Sequence, residues 1–263
     1  LGLLDFRLAP PDRWEPTPAL MAPPWNLSRA EAWDLLVILL NTLRQQGAVT
    51  FPPNVDPRDE AFAPRNVELF VSEVANETQG VLGWLPRRGS NRRLDFLARL
   101  LAKRNSISAD QARPAALETL RGIWTYLTDP GSRWRDHLLA ESRPQVGIAR
   151  RLDYRYWEWA PVAETGLPVY RCNRCFNVSY VNLDDVCPFY GCDGTLEPVS
   201  DHSVAWESNH YRHLYQTLEP ISITAEEHTA QWKPDEAGRV QDRFIRGQIN
   251  VLSCSTTFEL GVD

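Results

Sequence analysis

The chain has 263 residues, enough for one large domain or two to three small ones, and its 43% apolar content with ten tryptophans supports folded cores rather than disorder. No run of eighteen apolar residues occurs and the N-terminus lacks a basic segment followed by an apolar one, so neither a membrane span nor a signal peptide is expected and the cytoplasm is the expected location. A formal net charge of −6 excludes a generally basic nucleic-acid coat, so any such contact must be local.

Residues 1–27 are proline-rich and carry Trp14 and Trp25; they read as an extended connection packed on the surface of something else. Ser28-Arg-Ala-Glu31 is a capping box that opens a helix to about Gln46, which Gly47 ends. Leucines and isoleucine lie nearly all round this helix, so it belongs at the centre of a core. Prolines at 52, 53, 57 and 64 mark a loop or short edge strand, and Asn66–Ala75 fits a strand or a short helix.

Arg87, Arg88, Arg92 and Arg93 surround Gly89-Ser90-Asn91 and form the most basic cluster. They read as a phosphate-contacting loop and helix start, or as a solvated loop with ordinary capping chemistry. A helix is expected from Arg92 to Lys103, a second with Pro114 in its first turn and reaching Leu127, and a third over Arg133–Ala140. Val146–Ala149 and Leu152–Trp159 alternate like strands. Three helices and a hairpin would make residues 90–160 a winged helix with Arg150 and Arg151 at the wing; a plain helical insertion fits equally.

Cys172, Cys175, Cys187 and Cys192 give C-x2-C-x11-C-x4-C. Two close pairs joined by a hairpin-length segment suit a tetrahedral thiolate site, so residues 166–200 read as a zinc ribbon with structural Zn2+, the alternatives being two disulfides or four free thiols. That segment is too short and polar to fold on a core of its own, so the metal should supply the missing stability. Cys254, the fifth cysteine, reads as a small buried residue.

The last stretch, Arg239 to Asp263, reads as a charged helix with Val240 and Phe244 as its apolar points, a Gly247 stop, a buried parallel strand at Ile249–Leu252, and a polar loop through Ser255, Thr256 and Thr257. Loops beyond the carboxyl ends of such strands are where ligands bind in open α/β sheets. The pattern R-x4-F-x2-G, apolar strand, hydroxyl residue, then Gly261-Val262-Asp263 closely resembles motif V of superfamily 2 helicases. Ile221–Thr224 followed by Glu227-His228-Thr229-Ala230-Gln231 looks like the preceding strand and loop of the second RecA-like domain. The wording is similar to bacterial DEAD/DEAH-type helicases with an inserted zinc ribbon and a cysteine-rich C-terminal region, members of which occur in DNA repair and phage defence.

The resemblance implies an α+β multidomain chain: a mainly helical accessory region (1–165), the ribbon, and a partial RecA-like motor domain (201–263). It implies DNA, single- or double-stranded, as partner, with His228 and Ser255, Thr256 and Thr257 on its backbone, and Gly261 and Asp263 sensing nucleotide. There is no G-x4-G-K-[S/T] phosphate loop and no acidic box after a buried strand. The first residue is not Met, and no motif VI arginine follows motif V. The chain is therefore expected to be a fragment that does not hydrolyse ATP alone. ATP and Mg2+ would belong to the full-length parent, and the first RecA-like domain would be its missing partner. The rival reading is a non-catalytic zinc-ribbon module that binds nucleic acid or protein.

Overall fold

The computed structural model describes residues 4–62, 67–162, 166–199, 213–214, 217–219, 222–228 and 233–254. It is mixed α+β, with several small sheets and, among the described residues, five α-helices. The chain divides into two compact units, Leu1–Trp206 and Glu207–Asp263. No helix among the described residues is long and apolar enough to cross a membrane.

The first unit opens with strand β1 (Leu4–Leu8) and the short helix α1 (Pro18–Met21). The N-terminal segment is not an outlying connection: Trp14, Leu20, Trp25 and Leu27 are buried in the unit's own core. The indole of Trp25 donates to the Thr119 hydroxyl at 2.7 Å. Large aromatic area outweighs the extended preference of the prolines and folds the segment back.

Helix α2 (Arg29–Gln46) begins as the capping box requires. The Ser28 hydroxyl accepts the Glu31 amide, the Glu31 carboxylate accepts the Ser28 amide, and Gly47 closes the helix in the left-handed region at φ 91°. Leu35, Leu36, Leu39, Leu40 and Leu43 are fully buried, which places α2 in the middle of the core. The undecided segment after residue 66 contains strand β2 (Phe70–Ser72), and β3 (Val81–Gly83) lies parallel to it.

Helix α3 (Arg92–Asn105) is capped by the Asn91 side chain, and α4 (Ala109–Thr128) by a second capping box between Ser108 and Gln111. α4 thus starts five residues ahead of Pro114, which sits inside the helix rather than in its first turn. Two reciprocal cap bonds fix the start upstream, and the ring removes only one amide donor near the helix beginning. The helix expected over Arg133–Ala140 is instead a 3-10 turn (Arg133–Asp136) followed by strand β4 (Leu138–Arg143). β4 pairs antiparallel with β5 (Gly147–Leu152) over six residues, and this cross-strand ladder overrides the helical preference of Leu-Leu-Ala-Glu.

The four strands run β3-β2-β5-β4. The second expected strand, Leu152–Trp159, is broken by a turn at Tyr154–Tyr156 that Asp153 caps. Its remainder, β6 (Trp157–Pro161), leaves that sheet and pairs with β1. A hairpin does follow the helices, but the helix that completes a set of three is α2. Arg150 and Arg151 lie within β5 rather than at a wing tip: Arg150 reaches the carbonyls of Leu138 and Thr128, and Arg151 pairs with Glu68 and Glu141.

Arg104 of α3 joins three segments, pairing with Glu31 of α2 and with Asp184 and donating to the Trp25 carbonyl. The Ser28 hydroxyl and amide, and then Arg104, hold the Glu31 carboxyl down at about 2 against an ordinary 4.5. A depressed folded-state value stabilises the native chain above about pH 4.5, an advantage lost as pH falls towards 2. Urea melts of the wild type and Glu31→Gln should therefore differ most at neutral pH and converge as pH falls through that window.

Candidate metal centre

Strand β7 (Tyr170–Cys172) forms the middle of a three-stranded sheet with β8 (Val178–Ser179) and β9 (Leu196–Pro198). β7 delivers Cys172 and the turn after it delivers Cys175. The loop before β9 carries Cys187 and Cys192. The four sulfurs lie within 4.8 Å of one another, and this cluster could hold a metal ion.

The sulfur spacing excludes disulfides and suits a tetrahedron. Cys172 and Cys192 are 3.6 Å apart at Sγ, as are Cys175 and Cys187. A disulfide needs about 2.05 Å, whereas four thiolates at about 2.3 Å from one ion stand roughly 3.8 Å apart. Each sulfur accepts the amide two residues further on: Arg174 to Cys172, Asn177 to Cys175, Phe189 to Cys187 and Gly194 to Cys192. Amides aimed at sulfur favour the thiolate, the form that binds metal. Burial opposes ionisation at Cys175, but the Asn177 amide and side chain outweigh it and bring the thiol down to about 7. Burial pushes Cys187 and Cys192 up. A cation at the centre would offset the cost of ionising those two.

Gly194 has a geometric reason. A Cβ there would stand 2.5 Å from the Cys172 sulfur and 2.7 Å from Arg174 Cβ, so a side chain would displace the first pair. Gly191, at φ 68°, makes the left-handed turn between Cys187 and Cys192.

The cluster is fastened to the helical part of the same unit. Arg99 of α3 donates through Nη1 to the carbonyls of Cys187 (2.8 Å) and Cys192 (2.6 Å), and through Nη2 to Phe189 (3.1 Å). Asp95, one turn earlier, holds that guanidinium at 2.8 Å and accepts the Gly191 amide at 3.1 Å. Leu183 and Val186, within the same loop, are buried in the main core. The cysteine spacing makes the ligands legible in the sequence, but Asp95 and Arg99 look there like ordinary helix residues. Their i,i+4 spacing is the available signal, and it does not reveal a partner 88 residues away.

The expected phosphate cluster is divided. Arg87, Arg88 and Arg92 are exposed, but Arg93 is 3% exposed and faces the interior. Arg93 donates to the carbonyls of Trp84 and Gly83 and to the Thr42 hydroxyl. Burial, then Arg92, lowers its guanidinium to about 10. It therefore ties α2 to α3 and is not a phosphate ligand. Arg174 pairs with Asp193, which takes it out of the unpaired positive charge beside the first knuckle.

In the second unit, β10 (Ala225–His228) and β11 (Val251–Cys254) pair in parallel through helix α5 (Pro234–Ile245). The strand expected at Ile221–Thr224 lies four residues later, so Glu227 and His228 belong to the strand and not to its loop. The Asn250 side chain explains the shift, because it accepts the Thr224 amide at 2.8 Å and donates to the Ser222 carbonyl at 2.7 Å. Those bonds replace a ladder before residue 225. β11 is likewise displaced from Ile249–Leu252: Ile249 is buried, but Val251 is exposed on a sheet that has two strands among the described residues. Val240 of α5 is buried as expected and Phe244 is 38% exposed, while Gly247 takes φ 70°. His228 is opposite Cys254 at the carboxyl end of both strands. Ser255, Thr256, Thr257, Gly261 and Asp263 lie outside the described residues.

No protein-family model, curated protein or solved structure matches the chain. The site therefore stands on its own geometry.

Replacing Arg99 by Ala takes the guanidinium from the carbonyls of Cys187 and Cys192, while that of Phe189 keeps the Cys192 amide, and should cost roughly 2 kcal/mol in urea denaturation. Arg99→Lys should recover little, since an ammonium cannot reproduce the fork.

Proposed function

We propose that this chain works on nucleic acid, most directly DNA, as part of an ATP-driven superfamily 2 helicase or translocase. In this reading it contributes an accessory region, a structural zinc ribbon and part of the second RecA-like motor domain. The observation that carries the reading is the in-register parallel pairing of β10 and β11. Ala225 stands opposite Val251 and His228 opposite Cys254, so the residues that precede the two motif-bearing loops are neighbours towards the carboxyl edge of the sheet. Ligands of open α/β sheets bind at that edge, where hydroxyls and amides hold phosphates without reading sequence.

Further support comes from surface left open on this unit. Val251 of β11 is exposed, as expected of a parallel sheet that is normally covered on both faces, and Ile223 and Ile245 beside it are exposed as well. Arg243 of α5 pairs with Glu226 of β10 at 2.5 Å, fastening the crossover helix to its strand. In the proposed roles His228, Ser255, Thr256 and Thr257 touch the backbone of the strand, and Gly261 and Asp263 face the nucleotide between motor domains. The sequence holds no phosphate loop, so ATP and Mg2+ would be bound by the other RecA-like domain of the parent protein.

In the accessory region α2, β2, α3, α4 and the β4–β5 hairpin, with β5 lying between β2 and β4, fit a winged-helix reading in which α2 is the first helix. The exposed face of α4 carries Glu118 paired with Arg121, which suits packing against protein better than base readout. The metal we assign to the four cysteines is Zn2+ in a structural role, since four protein ligands leave no position open for chemistry.

Purified chain should carry one zinc per molecule by plasma emission spectroscopy. Cys187→Ser should lose the metal and lower the melting temperature of the whole first unit. The motor reading predicts affinity for single-stranded DNA that falls with added salt and drops about tenfold in Thr256→Ala/Thr257→Ala. Unchanged affinity in that variant would refute it.

A further inference from the structure

Between α2 and the cysteine-bearing sheet runs a groove of about 430 Å3. Phe6, Tyr180, Phe189 and Tyr190 line it, with Arg44 and Arg92 at its basic positions. Its remaining lining is apolar, amide, hydroxyl or thiol, with no aspartate or glutamate. That composition departs from the rest of a chain with 34 acidic residues against 28 basic ones.

Neither guanidinium pairs with a carboxylate among the described residues, although Arg44 donates through Nε to the Asn41 side chain at 2.8 Å. Arg44 lies 4.0 Å over the Phe6 ring and 5.4 Å from that of Trp157, which presents its charge on an aromatic platform. Carboxylates on neighbouring segments are occupied, Asp95 by Arg99 and Asp193 by Arg174. Tyr190 is 56% exposed and Phe6 38%. The Tyr190 ring is open to a stacking partner, and the Phe6 ring, which carries Arg44, keeps part of its surface exposed.

Aromatic rings beside guanidiniums that have no carboxylate partner, in a carboxylate-free channel, match the requirements of an unpaired nucleic-acid strand. Every base has a face for the rings, and every phosphate needs a cation. A duplex offers no free base faces, and an acidic or purely aliphatic ligand would use only half of the site. We infer that this groove binds a short single strand of DNA, with bases on Tyr190 and Phe6 and phosphates at Arg92 and Arg44. The choice of DNA rests on the motor reading above; the preference for a single strand rests on the groove. The site is assembled only while the cysteine cluster holds Phe189 and Tyr190 in place.

The test is fluorescence anisotropy of a fluorescein-labelled oligothymidylate with the full chain, zinc content and melting temperature being checked for each variant. Arg92→Glu and Tyr190→Ala are surface changes and should each weaken binding about tenfold with zinc and melting unchanged. An unlabelled duplex of equal length should compete at least about tenfold more weakly than the unlabelled single strand. Wild-type affinity in the Arg92→Glu/Tyr190→Ala double variant overturns the groove, as does equal competition by the duplex; stronger competition by oligouridylate overturns the assignment to DNA. A Thr256→Ala/Thr257→Ala chain separates the two claims. If it binds normally while the groove variants fail, the groove stands and the motor reading falls; if it fails while the groove variants bind normally, the groove falls and the motor reading stands.

Discussion

Three backbone carbonyls of the second cysteine pair converge on the guanidinium of Arg99, and Asp95 keeps that guanidinium in place while receiving the Gly191 amide. The Phe189 carbonyl also accepts the Cys192 amide within the knuckle, and the fork of donors from α3 adds bonds to the carbonyls of Cys187 and Cys192. The same helix packs on α4 and is tied to α2 through Arg93 and Arg104. Cysteine cluster, knuckle and helices are therefore parts of one mechanical path. Leu183 and Val186 place the cluster's loop in the main core, so it is not a separate bead.

This coupling gives a structural metal a functional consequence without assigning it any chemistry. The groove that displays Phe189, Tyr190 and Arg92 has one wall on the knuckle and one on the helices. Its shape depends on both being held together. In the second unit the constraint is of another kind. Parallel register sets Ala225 against Val251 and His228 against Cys254, and α5, which connects the two strands, is clamped to β10 through Arg243 and Glu226.

The legibility of the chain follows the range of its interactions. The Ser28–Glu31 box, the Gly47 stop and the cysteine spacing are local signals, and each marks its element correctly. Sequence and structure part where a distant partner decides the outcome. Leu138–Ala140 reads as the end of a helix that starts at Arg133, and becomes the start of a strand because β5 lies beside it. Arg93 looks like a surface charge within Arg92-Arg93 and turns inward because Thr42 and the carbonyls of Gly83 and Trp84 await it. Trp14 and Trp25 look like decorations on a proline-rich tail, yet they complete the core. The strand before α5 starts four residues later than its apolar run suggests because Asn250, from across the unit, satisfies the backbone ahead of it. The groove is not legible at all, since Phe6, Arg44, Arg92 and Tyr190 are brought together only by the packing of β1 and the ribbon on α2 and α3.

The most direct test of this account is hydrogen-exchange mass spectrometry of the full chain before and after removal of the metal with a chelator. Amides of the knuckles must lose protection on any reading. If metal, Arg99 and the helices form one path, protection should also fall in α3 around Asp95–Arg99 and in the α2 peptides that face it. Loss confined to residues 170–198, with α3 unchanged, would contradict the account and leave the ribbon an independent bead.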